Sequence, residues 1–368
     1  MTTYNWQKSD WPHFTYDLTN LFEALMTISE KMGRVSGKIA HLSETLRTDA
    51  IIDLLVEEAI NTSKIEGEQL QVEDVRSSIK NKLGIDKAET PVRDKRAQGI
   101  AALMIDARKT FKKSLTQDQL FDWHIMLMSF NPHIRIGTWR VDDEPMQIIS
   151  GFHGKSQVHF EAPPSKLVPK EMQQFIEWFN TTAPGHANTI TFAPVRAAIA
   201  HLYFESIHPF EDGNGRIGRV LAEKALSQGF DYPVMLSLSQ TIEANKKAYY
   251  DALKIASRSN EITAWIEYFV NVISQAQTSI ELQIDFILKK AAFFKKYETV
   301  LNERQMKVVK RMMQAGVKGF EGGMSAKKYM TIADVSKATA TRDLHDMVEL
   351  NVLKQMGSGR SVRYELNL

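Results

Sequence analysis

Apolar residues recur along most of this chain at the three- and four-residue spacing of helices that bury one side. After a stretch carrying Trp6, Trp11 and Phe14 around Pro12, that spacing begins near Leu18. It returns over about 46–66, where Ile51, Leu54, Leu55, Ala59 and Ile60 fall on one side and Gly67 marks a stop. Further helices are predicted over about 91–113, over 116–130 with Thr116 as N-cap, near 168–180, over 192–207, and over 215–228 with Gly229 as the stop. In the helix over 192–207, Val195, Ile199 and Leu202 form the apolar face. Two short runs, 146–149 and 157–160, break the helical pattern on either side of a Gly-containing turn and predict a hairpin. More helices follow to about 298. From Leu301 the order becomes helix, short helix, helix, then strands over 352–355 and 362–366 around Gly357-Ser358-Gly359. The fold is therefore expected to be mainly α.

Composition narrows the classes. At 368 residues the chain exceeds a typical single domain, and the pattern changes divide it into 1–115, 116–298 and 299–368. With 43% hydrophobic and 24% charged residues it has the balance of a globular protein, and a net charge of +2 offers no global attraction to nucleic acid or membrane. The absence of cysteine excludes disulfides, thiolate metal sites and a cysteine nucleophile. The opening residues Met1-Thr2-Thr3-Tyr4-Asn5-Trp6 lack the basic-then-apolar order of a signal peptide, and no apolar run is long enough to span a bilayer. A cytoplasmic location away from membranes is expected.

One stretch concentrates chemistry. His208-Pro209-Phe210-Glu211-Asp212-Gly213-Asn214-Gly215-Arg216-Ile217-Gly218-Arg219 lies where a loop enters a helix. Gly213 and Gly215 flank Asn214 there, and missing side chains let the free N–H groups of a helix start approach an anion. Arg216 and Arg219 are three residues apart, hence on one helix face, where guanidinium groups can grip phosphate oxygens. Asp212 supplies a hard oxygen suited to Mg²⁺. His208 can take a proton from an attacking hydroxyl near neutral pH. By contrast, Gly154-Lys155-Ser156 resembles the end of a P-loop, but Ile149 stands where that motif needs glycine.

The run from His208 to Arg219 resembles the signature of the Fic family, His-x-Phe-x-(Asp/Glu)-Gly-Asn-Gly-Arg-x-x-Arg, at every defined position. The resemblance implies a helical core with a β-hairpin flap. It implies transfer of AMP from ATP to a protein hydroxyl, with His208 as general base and Asp212 holding Mg²⁺. By the same resemblance Gly213, Asn214 and Gly215 cradle phosphate, Arg216 contacts the nucleotide phosphates, Arg219 holds the γ-phosphate and Phe210 anchors the loop. Tyr249 and Tyr250 would lie against the adenosine, and Val158, His159 and Phe160 of the hairpin would hold the target segment by strand addition. The expected partner is a protein offering a Tyr, Thr or Ser hydroxyl, this chain itself included; a homodimer is compatible with the sequence.

Thr62-Ser63-Lys64-Ile65-Glu66-Gly67 resembles the family's inhibitory pattern, (Ser/Thr)-x-x-x-Glu-(Gly/Asn), in the class whose inhibitory helix precedes the core. It implies that Glu66 pairs with Arg219 in place of the γ-phosphate, with Thr62 one turn earlier steadying Glu66. Residues 299–368 hold 12 Lys and Arg against 7 Asp and Glu. Their order resembles a winged helix, with Asn302 and Gln305 as a capping box and a third helix near 336–350. DNA binding there would use Lys337, Arg342 and Arg360, opposed by Asp343, Asp346 and Glu349 on the same helix, which equally suits a docking module. Two alternatives to AMP transfer are hydrolysis of AMP from a modified protein at the same site, and a DNA-binding regulator whose core senses nucleotide.

Overall fold

The computed structural model describes residues 3–85, 89–142, 144–150 and 157–368. The hairpin tip with Gly154-Lys155-Ser156, and the side chain of Arg360, lie outside the described residues. The fold is mostly helical with two small antiparallel strand pairs. It divides into two compact units, one of Met1–Arg34 and Thr48–Thr278, the other of Val35–Arg47 and Ser279–Leu368. No helix among the described residues is long and apolar enough to cross a membrane.

The first unit holds most of α1 (Phe22–Ala40) and α2 (Glu44–Ile65), whose residues within Val35–Arg47 belong to the second unit, and α3 (Val72–Leu83), α4 (Lys95–Lys109) and α5 (Gln117–Met128), which precede the hairpin β1 (Gln147–Ser150) and β2 (Gln157–Glu161). Then come α6 (Val168–Thr181), α7 (Ala193–Ile207), α8 (Asn214–Phe230), α9 (Leu238–Ala244), α10 (Lys246–Ala256) and α11 (Thr263–Tyr297), which continues into the second unit. Thr116 caps α5 as its sequence predicts, accepting a bond from the Gln119 N–H. α3 is absent from the sequence expectation. Its run is mostly polar and buries only Val75, Ser78 and Ile79, a stripe too thin to register as a helix.

α7 departs from the one-sided helix its periodicity predicts. Nearly every residue is buried, including Arg196 and His201, and Ala197, Ala198 and Ala200 let neighbouring elements close in on the other sides. Arg196 donates to Phe179 O, Thr182 Oγ1 and Gln228 Oε1; burial lowers its pKa to about 10, and it stays cationic at neutrality. Gly229 is not a stop either. α8 runs through it to Phe230 and ends at Asp231 in a left-handed cap. A methyl at Gly229 would overlap Cβ of Ala193, so this glycine permits the end of α8 to press against the start of α7.

The hairpin pairs Gln147 with Glu161 and Ile148 with Phe160, then shifts register before Ile149 and Val158. Phe160 turns inward against Tyr4 at 5.1 Å, edge to face, and Trp6 Nε1 donates to Glu161 O at 2.7 Å. The N-terminal segment thus straps the second strand to the body of the unit.

The second unit holds α12 (Glu303–Met313), α13 (Ala326–Ala333), α14 (Lys337–Glu349), β3 (Leu353–Met356) and β4 (Arg363–Leu366). Asn302 and Gln305 form the expected capping box. The two strands pair from Leu353↔Leu366 to Met356↔Arg363. Val308, Val309, Met312, Tyr329, Leu344 and Met347 make a core of their own. Asp343, expected on α14 among the acids that oppose DNA binding, does not face outward. It is buried, accepts a bond from Tyr329 at 2.8 Å and pairs with Arg304 at 3.2 Å.

Candidate functional site

The loop 208–213 links α7 to α8, and its geometry follows from three local requirements. His208 ends α7 in the left-handed region (φ 51), a conformation a non-glycine residue holds only when its surroundings fix it. Gly213 caps α8 with φ 85, which favours glycine. Between them Asn214 closes the loop with both side-chain groups: its Oδ1 accepts from Phe210 N at 2.9 Å and its Nδ2 donates to Phe210 O at 2.8 Å. The side chain of Asn214 is therefore committed, and what it offers an anion is its backbone N–H. As the first residues of α8, Asn214, Gly215 and Arg216 have N–H groups without an intrahelical acceptor.

Phe210 is fully buried and stacks on His124 at 4.1 Å. His124 accepts the Gly137 N–H at Nδ1 (3.0 Å) and donates from Nε2 to Asp212 O (3.2 Å), which fixes the neutral tautomer. Burial holds its pKa down at about 4. Arg140 grips the same loop: its Nε donates to His208 O at 2.7 Å, its Nη2 to Pro163 O at 2.5 Å, and its own N–H to Pro209 O at 2.9 Å. Burial lowers its pKa to about 10, so it remains charged at neutrality.

Both arginines of the helix meet carboxylates from the end of α2. Gly67, with φ 83, reverses the chain there: Gly67 N–H bonds to Lys64 O at 3.0 Å and Glu68 N–H to Ser63 O at 2.9 Å. The reversal presents Glu66 and Glu68 to α8. Glu66 Oε1 accepts from Arg219 Nη2 at 2.6 Å, and Glu68 Oε1 accepts from Arg216 Nη1 at 2.8 Å. Thr62 holds Arg219 rather than Glu66, taking Nε on its hydroxyl at 2.7 Å and Nη2 on its carbonyl at 3.2 Å. A methyl at Gly215 would overlap Glu66 Oε1, so the carboxylate lies directly on the helix start. Burial would lower the pKa of Arg219, but Glu66, Tyr249 and Glu205 together raise it above its ordinary value. Among the described residues, Arg219 Nη1 and Arg216 Nε are buried with no hydrogen-bond partner. The guanidinium pair thus retains donor capacity for an anion with more oxygens than two single carboxylates supply.

α2 is fastened at two further points. Glu58 accepts from Ser237 Oγ at 2.8 Å and from Ser239 N at 3.0 Å, at the start of α9. The carbonyls that end α2 accept from α10: Tyr250 OH reaches Ile65 O and Lys246 Nζ reaches Lys64 O, each at 3.4 Å. Tyr249, by contrast, is buried and pairs its hydroxyl with His201 Nε2 at 2.8 Å.

A cavity of about 560 Å³ is lined by Glu66, His208, Gly215, Glu205, Tyr250 and the hairpin residues Ile148, His159 and Phe160, among others. It brings together His208, Glu66, Gly215, Tyr249, Tyr250, His159 and Phe160. Arg216 and Arg219 lie behind the carboxylates, Val158 is exposed on the hairpin, and Asp212 is half-exposed with Oδ1 taking the Gly213 N–H at 2.5 Å. Glu68, His124, Arg140 and Glu205 were not singled out by the sequence. Only Glu205, one helical turn before His208, carried a spacing signal.

Three comparisons bear on this arrangement. Residues 4–85 match the model of a domain of unknown function, DUF4172, and residues 114–226 match that of the Fic/DOC family. The chain is similar to a protein adenylyltransferase Fic of Drosophila ananassae, 25% identical over 202 residues, which are 54% of this chain and 36% of that protein. It is also similar to a Fido domain-containing protein of Dictyostelium discoideum, 38% identical over 98 residues, which are 26% of this chain and 62% of that one. The chain thus spans about a third of the first relative's length and under two thirds of the second's. Among solved structures, a Fic family protein from Desulfovibrio desulfuricans superposes with a TM-score of 0.54 at 20% identity, covering 96% of this chain and 98% of that one. That likeness establishes the fold. With the matched segment spanning α5 to α8 and the loop between α7 and α8, residues 114–226 of this chain are a Fic/DOC-family domain.

Proposed function

We propose that this chain transfers AMP from ATP to a hydroxyl side chain of a protein, releasing pyrophosphate, and that Glu66 restrains the reaction. One observation carries the reading: a carboxylate of the chain itself, Glu66, sits on the N-terminus of α8 and on Arg219, beside the imidazole of His208 in one cavity. Helix starts and paired guanidiniums favour phosphate by the same charge logic that holds this carboxylate.

In this reading Arg219 binds the γ-phosphate once Glu66 withdraws, Arg216 binds the phosphates nearer the sugar once Glu68 withdraws, and the N–H groups of Asn214 and Gly215, with that of Gly213 once Asp212 Oδ1 releases it, complete the cradle. Tyr250, with Tyr249 behind it, borders the adenosine. Asp212 would hold Mg²⁺, which when bound neutralises phosphate charge. His208 removes the proton of the target hydroxyl; its oxygen bonds to the α-phosphorus as the bond to pyrophosphate breaks. Such transfer relies on positioning and charge neutralisation, which these groups supply. The edge of the hairpin at Val158 and His159 would align the target backbone. Intact-mass spectrometry after incubation with ATP and Mg²⁺ tests the reading. The chain or a hydroxyl-bearing target should gain the mass of AMP, and gain of a phosphate instead would sink it.

A separate reading concerns the second unit. With Asp343 turned into the core, the outer face of α14 offers Lys337, Thr341, Arg342 and His345 around one shallow hollow, beside Asp346. We propose that this face contacts duplex DNA through phosphate. A binding constant that falls steeply with salt supports it, and binding that ignores salt contradicts it.

A further inference from the structure

The mechanism above uses one face of His208 and leaves the other unexplained. Nδ1 of that imidazole is buried and points at Oε2 of Glu205, 3.6 Å away and one turn earlier on α7. The two side chains are only 12% and 10% exposed. Among the described residues Nδ1 of His208, Nδ1 of His201 and Oε1 of Glu205 have no hydrogen-bond partner, and His208 is the imidazole that forms an ion pair with Glu205. Room for the carboxylate comes from Gly218: a methyl there would stand 2.6 Å from Glu205 Oε1 and 3.1 Å from His201 Nδ1. The third residue of the helix after Gly215 thus forms a notch that receives this acid.

Taking the proposed transfer as given, we infer that Glu205 is the positioning residue of the base: its carboxylate holds the Nδ1–H tautomer of His208, turns Nε2 toward the substrate hydroxyl, and balances the imidazolium that forms on proton uptake. The chemistry is that of any base oriented by a buried acid. The proton taken from the hydroxyl goes to Nε2, Nδ1 keeps its own, and Glu205 stays ionised. Other charged or titratable groups around Glu205 are His201 on α7, Arg219 on α8, Tyr249 and Tyr250 on α10, and Glu66 after α2. Burial would raise the Glu205 pKa, but His208, His201 and Arg219 together bring it below the usual carboxylate value, so it is anionic at neutrality.

The test compares the full chain with Glu205→Gln and Glu205→Asp, each in a Glu66→Gly background, by NMR of ¹⁵N-labelled imidazoles and by AMP transfer against pH. In the parent, His208 should be the Nδ1–H tautomer. In Glu205→Gln its titration midpoint should fall by about one to three pH units, the usual effect of losing an opposite charge at this range. The acid limb of kcat/KM should move with it and Glu205→Asp should recover part of the shift. An Nε2–H tautomer in the unsubstituted chain, or a midpoint unmoved in Glu205→Gln, overturns the inference. The NMR arm needs no turnover. A shifted midpoint without AMP transfer would therefore uphold the pairing while the reading of function fails, and the unsubstituted chain gives the tautomer even if a variant does not fold.

Discussion

Glu66 and Arg219 form an ion pair of 2.6 Å in which the guanidinium is 1% and the carboxylate 27% exposed. Both its partners and its place matter. Arg219 lies on the second turn of α8 while the Glu66 carboxylate lies at the helix start against Gly215, and Thr62 from the same segment as Glu66 takes two more of the guanidinium's N–H bonds. An anion that needs Arg219 has to displace a carboxylate already held by a helix start and a cation.

Removing that carboxylate should therefore release the site. Breaking a buried pair shifts the balance by about 3–5 kcal/mol, and each 1.4 kcal/mol is about tenfold in rate. Because Glu66 is partly solvated, Glu66→Gly is expected to raise AMP transfer by roughly a hundredfold or more rather than by the full range. Initial rates of the two proteins at equal ATP check this, and equal rates would contradict it.

Glu68 should act as a second, weaker restraint. It pairs with Arg216 at 2.8 Å and, like Glu66, is presented by the reversal at Gly67. We expect Glu68→Ala to tighten ATP binding by roughly tenfold, the value of about 1.4 kcal/mol for a charge partner that competes with phosphate. Calorimetric titration with ATP, with and without Glu66→Gly, reads it; unchanged affinity in both backgrounds would show that Glu68 does not compete.

The loop should lose stability in mild acid. The pKa of His124 is depressed in the folded state to about 4 against 6.5 unfolded, so the folded chain binds fewer protons between these values. Its contribution is complete above pH 6.5 and is lost as pH falls toward 4, by about 3 kcal/mol for a shift of this size. Urea unfolding at stepped pH should show this slope in the parent and a flatter one in His124→Leu.

Gly229→Ala should destabilise, reversing the usual rule that alanine strengthens a helix by about 1 kcal/mol over glycine. The added methyl has no room against Ala193, and overpacking costs about 1–3 kcal/mol. A lower midpoint of thermal unfolding is the expected result, and a higher one would mean that α7 and α8 separate easily there.

What the sequence made legible follows from range. His208, Phe210, Asp212, Gly213, Asn214, Gly215, Arg216 and Arg219 are contiguous, and their chemistry needs a loop-to-helix junction that their own order builds. The Thr62 and Glu66 pattern is legible through its resemblance to the family's inhibitory pattern, which spans one turn of helix and a glycine. Which group Thr62 would hold is not legible, since that depends on how α2 lies across α8. Glu68, His124 and Arg140 act through folding that joins segments far apart in the chain, and no local spacing announces them. α3 is not legible because Val75 and Ile79 are the only apolar residues it buries in a mostly polar run, and Gly229 reads as a stop because a glycine late in a helix can serve close packing as well as termination.

The most direct test of the central claim is label transfer from ATP carrying radioactive phosphorus at either the α or the γ position, in the presence of Mg²⁺. In the Glu66→Gly background, protein should take up label from the α position alone, and adding His208→Ala should abolish it. Protein labelled from the γ position, or α-label that persists without His208, would contradict the account.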